Sequence, residues 1–484
     1  MLSQTLLLLC LSPLILQPCT AQLASIQNNT FNASYGQFNP SQTRNRITQA
    51  NLSSSVSSDL LVALDFERTN WAGSSTHLDP FYTDLPANAS SAPAGSVIKV
   101  EQYTNTSYYT LSPGLALSRC LFMTKNLNGS TVPASAYVLW PYLSRTFSNL
   151  SGIPLVAFGH GSSGATGECA PSHIRNLWYQ FSAPFTLALQ GYAVVAPDYA
   201  GLGVDHDFDG NFIPHQYIAA TAQGNDLLYS VEAAQAAWPQ LSRQFVLMGD
   251  SQGGGAAWAA AETLANSTIP GYLGAVAVSP STSVRSALEV VLGVPTILGS
   301  GLARFALGVQ SVYPAFRLTD WFTDIGIAAT RLLQDVQGCG SSASVLLVPD
   351  AVKPTWNQSW YFNAYSNWTS VGNKPFAGPM LVIQGTDDPV VDLDQRFTTT
   401  VVSETCQAFP NSQLEYATFE GHSHIGALFF GQQVWLNWIA QRFEGVRVEG
   451  GCLGTRYQPE LPLENYQEEL EYYLEYPLYG YETA

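Results

Sequence analysis

From Ala134 onward the sequence repeats one rhythm, a short apolar run followed by a longer segment of mixed character. The runs are "AYVLWP", "IPLVAFGHG", "YAVVAPDYAG", "FVLMGDS", "LGAVAVSP", "MLVIQGTDD" and "LEYATFEGH". None alternates cleanly between apolar and polar positions, so they read as strands buried on both faces rather than one. Stretches such as 225–238 and 254–266 are long and alanine-rich enough to form helices between them. Buried strands separated by helices predict an α/β fold, a mainly parallel central sheet with helices on both faces.

The same pattern divides the chain. Residues 22–133 are rich in Asn, Ser and Thr without strong periodicity and read as an irregular lead-in packing on the core. The core then runs over 134–280 and resumes over 379–452. Between these parts lie about a hundred residues, far more than an ordinary strand-to-strand connection needs. Residues 281–378, apolar at first and amphipathic later, are therefore expected to form an inserted helical cap. Its expected place is above the carboxyl edge of the sheet, where such folds hold their sites.

One strand-to-helix junction carries chemistry. Gly249-Asp250-Ser251-Gln252-Gly253 spells G-x-S-x-G, with an apolar strand before it and an alanine-rich helix after it. A serine there sits on a sharp turn, and the flanking glycines let strand and helix approach without a Cβ clash. Its hydroxyl is a weak nucleophile at neutral pH and needs a base and an orienting carboxylate, expected downstream in the order acid, then histidine. "QGTDDPVV" supplies Asp387 and Asp388; the spacing from Gly385 favours Asp388 and leaves Asp387 as runner-up. "EGHSHIGA" supplies His422 and His424, and the spacing from Gly421 favours His424. For the oxyanion, the amide of Gln252 follows the nucleophile, and Ser162 in "FGHGSSG" is the expected second donor. His160 precedes the elbow and reads as a brace for that loop. No cofactor is expected. No metal is expected either: His422-x-His424 has no accompanying ligand cluster, and "DHDFDGN" at 205–211 starts like a calcium loop but places Gln216 where a bidentate carboxylate belongs.

Composition narrows the setting. A formal charge of −17 argues against nucleic acid and anionic membrane surfaces as partners. Part of that charge is a terminal appendage at 453–484, with seven glutamates and no Lys or Arg after Arg456. Residues 1–21 carry an apolar run ending in Cys-Thr-Ala and read as a signal peptide. No later run has the roughly 18 apolar residues of a membrane span. A secreted, extracellular chain is expected, with sequons at Asn28, Asn32, Asn51, Asn88, Asn105, Asn128, Asn149, Asn266, Asn357 and Asn367. Cys120, Cys169, Cys339, Cys406 and Cys452 remain after cleavage, an odd number that allows at most two bridges.

The landmarks "DPFY", "HGSSG", "CAPS", "VVAPDYAGLG", the G-x-S-x-G, "QGTDDPVV" and "GHSHIGA", in that order, resemble those of the fungal secretory lipases, an α/β-hydrolase family. The resemblance implies an α/β-hydrolase fold and a cofactor-free serine esterase or lipase, with a helical lid inserted after the sixth strand. It implies Ser251, Asp388 and His424 as a triad, bridges Cys169 to Cys339 and Cys406 to Cys452, and a free Cys120. The expected partner is a small-molecule or lipid ester, with the cap in contact with a lipid interface in the second case. Rival readings are a deacylase or acyltransferase acting on a secondary metabolite, a peptidase on the same scaffold, and a hydrolase-fold binding protein without catalysis.

Overall fold

The computed structural model describes residues 40–289, 295–346, 350–392 and 395–466. The expected signal peptide, the sequons at Asn28 and Asn32 and most of the acidic tail lie outside them. Ten strands make one sheet: β1 (Val97–Glu101), β2 (Leu115–Lys125), β3 (Thr131–Pro141), β4 (Ile153–Gly159), β5 (Ala193–Pro197), β6 (Leu241–Asp250), β7 (Tyr272–Val278), β8 (Met380–Gly385), β9 (Gln413–Phe419) and β10 (Gly451–Tyr457). Their order is β1-β2-β3-β5-β4-β6-β7-β8-β9-β10. From β5 through β10 every neighbouring pair is parallel, while β1, β2 and β3 add an antiparallel wing joined to β5.

Helices of ten residues or more are α1 (Pro40–Gln49), α2 (Ser54–Thr69), α3 (Ala220–Ala237), α4 (Gln252–Leu264), α5 (Pro295–Val312), α6 (Asp324–Asp335), α7 (Trp360–Thr369), α8 (Thr398–Ala408) and α9 (Gln432–Glu444). The Ser53 side chain caps α2 by accepting from the Val56 amide, and Gly445, at φ 75°, closes α9 in the left-handed conformation. None of the described helices is long and apolar enough to cross a membrane.

Two apolar layers enclose the sheet. On one face Val231 of α3, Trp238 just after it and Trp258 of α4 pack against Leu155, Val195 and Leu247; on the other, Trp435 and Ile439 of α9 pack with Phe158, Met248 and Ile383. Burial on both faces explains why these central strands show no alternation. The cap between β7 and β8 has its own aromatic core of Phe305, Trp321, Trp356, Phe362 and Tyr365.

Three boundaries differ from expectation. The sheet starts at Val97, inside the segment expected to be irregular, because β2 hides its polar residues instead of exposing them. Arg119 is buried, bonds both Glu101 carboxylate oxygens at 2.9 Å and meets Asp79 at 3.2 Å. Helices α1 and α2 pack on the cap rather than the sheet: Ile47, Leu60 and Leu64 join Leu332, Leu333 and Val336. Finally, residues 451–457, expected to straddle the end of the core and the start of a tail, form the edge strand β10 beside β9. With the antiparallel wing counted, the cap follows the seventh strand rather than the sixth.

Candidate active site

Ser251 lies between the end of β6 and the start of α4, at φ 57° and ψ −117°. Few residues other than glycine adopt this conformation without strain. The surroundings hold it there: the Ser251 amide donates to the Val278 carbonyl at 3.0 Å, and its own carbonyl accepts from the Gly255 and Ser281 amides at 3.1 and 3.0 Å. A Cβ on Gly249 would strike the Gly253 carbonyl, and one on Gly253 the Gly159 carbonyl, so the elbow closes only with glycine at both positions.

His424 and Asp388 meet through their side chains. Asp388 Oδ2 accepts from His424 Nδ1 at 2.8 Å and from Gln384 Nε2 at 2.7 Å, while Oδ1 accepts from the amides of Val390 and Val391 at 2.7 and 3.1 Å. Burial would raise the Asp388 carboxyl, but His424 and these bonds hold it below its ordinary range. Burial would lower the His424 imidazole; the charge and hydrogen bond of Asp388, with the charge of Asp250, hold it above its ordinary value. The Ser279 hydroxyl donates to the His424 carbonyl at 2.8 Å, so the histidine loop and the serine turn hang from adjacent residues at the end of β7. Among the described residues no hydrogen bond joins Ser251 Oγ to the His424 ring. The neighbours are placed differently: Asp387 is exposed, and His422 is buried with its ring 3.7 Å from that of Phe430.

Gln252 opens α4, where its amide has no partner within the helix. Its side chain donates from Nε2 to His215 Nε2 at 3.1 Å, while His215 Nδ1 donates to the Ala200 carbonyl at 3.1 Å. That pairing requires a neutral imidazole, and burial lowers His215 to about 4. Ser162 Oγ bonds the Tyr217 hydroxyl at 2.8 Å. Tyr217 in turn packs on Phe305 of the cap, with ring centroids 5.0 Å apart. His160 stacks on Tyr199 at 4.2 Å, and burial lowers it to about 4.

Sequence reasoning passed over one acid in this site. Asp250, the residue before Ser251, is fully buried and accepts from the Tyr179 hydroxyl at 2.7 Å. Burial, partly offset by His424 and Tyr179, raises its carboxyl to about 7. When ionised, it adds its negative charge to that of Asp388 in raising His424. Its place inside the motif gave the only signal, since Tyr179 lies 71 residues away.

Disulfides join Cys169 to Cys339 and Cys406 to Cys452, and Cys120 is free and buried. The first bridge ties the loop beyond β4 to the base of the cap, and the Gly340 amide donates to the Ser163 carbonyl at 2.8 Å beside it.

The sequence matches the model of the alpha/beta hydrolase family over residues 156–434. No curated protein matches it in sequence. Among solved structures it resembles Candida antarctica lipase A in its closed state, at 19% identity and a TM-score of 0.61, covering 79% of this chain and 90% of that one. It also resembles the rice cell wall degrading esterase LipA from Xanthomonas oryzae, at 18% identity and a TM-score of 0.55, covering 72% of this chain and 97% of that one. At such identities the likeness is one of fold.

Proposed function

The chain belongs to the alpha/beta hydrolase family, and from that premise we propose that it is a secreted serine esterase of the lipase kind, hydrolysing carboxylic esters through an acyl-enzyme. The observation that carries the reading is the buried Asp388–His424 pair beside a serine held at φ 57° between strand and helix. Ser251 Oγ attacks the ester carbonyl while His424 Nε2 takes its proton; Asp388 steadies the imidazolium, which then protonates the leaving alcohol. Water, activated by the same histidine, adds to the acyl-enzyme and releases the acid. The amides of Gln252 and Ser162 take the developing oxyanion, the first reinforced by the amino-terminal dipole of α4.

An apolar ester, lipid or otherwise, suits a site whose Ser162 is bonded to Tyr217, itself packed on Phe305 of the aromatic cap. Two disulfides favour an oxidising compartment. Of the described sequons, Asn51, Asn88, Asn105, Asn128, Asn149, Asn266 and Asn367 are exposed and Asn357 is half-buried, as glycan attachment requires.

A fluorophosphonate probe tests the reaction. The wild-type protein is expected to be labelled on the peptide containing Ser251 and to hydrolyse p-nitrophenyl butyrate, and Ser251→Ala to lose both. Turnover retained by a folded Ser251→Ala variant, or a label on another residue, would overturn the assignment.

A further inference from the structure

A second group of chemistry-bearing side chains lies outside the site just described. His77, from the loop after α2, meets Asp205 and His206, from the loop after β5, and one ligand atom from each lies within 4.8 Å of the others. Asp205 is buried, while both histidines are exposed at the surface. Its two oxygens face one imidazole each: His206 Nδ1 lies 2.8 Å from Oδ1, and His77 Nε2 lies 3.7 Å from Oδ2. Asp205 is thus buried rather than part of a solvated acidic turn; that description fits only the residues after it, where Asp207 accepts from the Asp209 and Asn211 amides.

We propose that His77, Asp205 and His206 form a divalent metal site whose natural occupant is zinc. Two imidazole nitrogens and one carboxylate oxygen are the donor set of an open zinc site, with the fourth position left to water. The set is too poor in oxygen for calcium, which takes six to eight such ligands. A tetrahedral zinc spaces its donors about 3.3 Å apart, so the longest separation has to contract by roughly 1.5 Å. Rotation of the two exposed imidazoles supplies that movement, while the buried carboxylate stays fixed. The three residues line one side of a cleft of about 450 Å³ that also holds Asp84 and Asp207. These carboxylates favour a cation approaching from solvent. His206 also makes an edge-on contact with Phe212, ring centroids 5.8 Å apart.

The position gives the metal a structural role. His77 belongs to the segment that joins α2 to the sheet, and Asp205 and His206 belong to the core. The Gln337 side chain of the cap lies 3.4 Å from His77 Nε2. Zinc bound here pins the amino-terminal arm to the core next to the base of the cap, and binding to the folded form alone stabilises it by mass action.

The test uses the full secreted protein, stripped with a chelator and titrated with Zn²⁺ by calorimetry. One equivalent is expected to bind, raising the thermal midpoint, and Co²⁺ in its place should give the visible absorption of a four-coordinate ion. His77→Ala and His206→Ala, both surface substitutions, are each expected to weaken Zn²⁺ binding by more than about 100-fold with circular dichroism unchanged. Absence of a saturable one-equivalent site, Zn²⁺ binding that survives both substitutions, or preference for Ca²⁺ would overturn the proposal. None of these readouts involves Ser251, so the outcome is separate from that of the ester-hydrolysis assay.

Discussion

Substituting Ser251 in two ways measures the strain of the elbow. At φ 57° and ψ −117° a residue with a Cβ carries a cost of about 1–3 kcal/mol. Ser251→Ala removes the hydroxyl and keeps the Cβ, hence the strain. Ser251→Gly removes both, but its freer unfolded chain costs back roughly 0.5–1 kcal/mol. The half-buried side chain contributes little packing to lose. The glycine variant should therefore be the more stable of the two, by on the order of 1 kcal/mol. With an m-value of about 3 kcal/mol/M, that raises the urea midpoint by ~0.3 M at equal slope. Equilibrium unfolding of both variants, followed by tryptophan fluorescence and circular dichroism, reads the difference, and both should be inactive towards esters. A glycine variant equal to or less stable than the alanine variant would mean the turn stores no strain, and the argument that the fold pre-positions Oγ would fail.

Two further outcomes follow from the site and the disulfides. On the proposed mechanism His424 must be neutral to accept the serine proton, and its raised value means turnover falls away as pH drops through that value; Asp250→Asn removes a charge that raises it, so the acid limb of kcat/KM should move to lower pH. A limb that stays in place or moves to higher pH would remove Asp250 from the electrostatics of the base. Replacing Cys169 and Cys339 together with alanine frees a loop of 170 residues, worth about 5 kcal/mol by chain entropy, against about 4 kcal/mol for the 46-residue separation of Cys406 and Cys452. Denaturant unfolding of the two double variants should rank them in that order, and the reverse ranking would show that native contacts rather than loop length set the contribution.

The sequence displayed the fold where burial was complete and concealed it where polar groups were buried. β4 and β6 to β8 stood out because their cores are continuous apolar runs, whereas β2 did not, because Arg119, Ser118 and Thr124 lie buried in it. Chain length exposed the cap, but not its support by α1 and α2, since Leu60 and Leu332 meet only in three dimensions. The proposed triad of Ser251, Asp388 and His424 was read from spacing and chain order. Asp388 and His424, each with a near neighbour of the same kind, are distinguished by burial and contact: Asp387 is exposed, and His422 faces Phe430 instead. Tyr179, Tyr217 and His215 carried no local signal, because each matters through a partner distant in sequence; Gln384 stands inside "QGTDDPVV", but its contact with Asp388 is not spelled out by that spacing.

The Gly340 amide bonded to the Ser163 carbonyl, with the Cys169–Cys339 bridge beside it, makes the floor of the lid and the neighbourhood of the Ser162 amide a single mechanical piece. On the proposed reaction, admitting a bulky ester by shifting the lid's floor would also displace a donor aimed at the transition state. Such an ester would be bound and then processed slowly, so discrimination by size would register in kcat more than in KM. An enzyme built this way rejects poor substrates after it has held them.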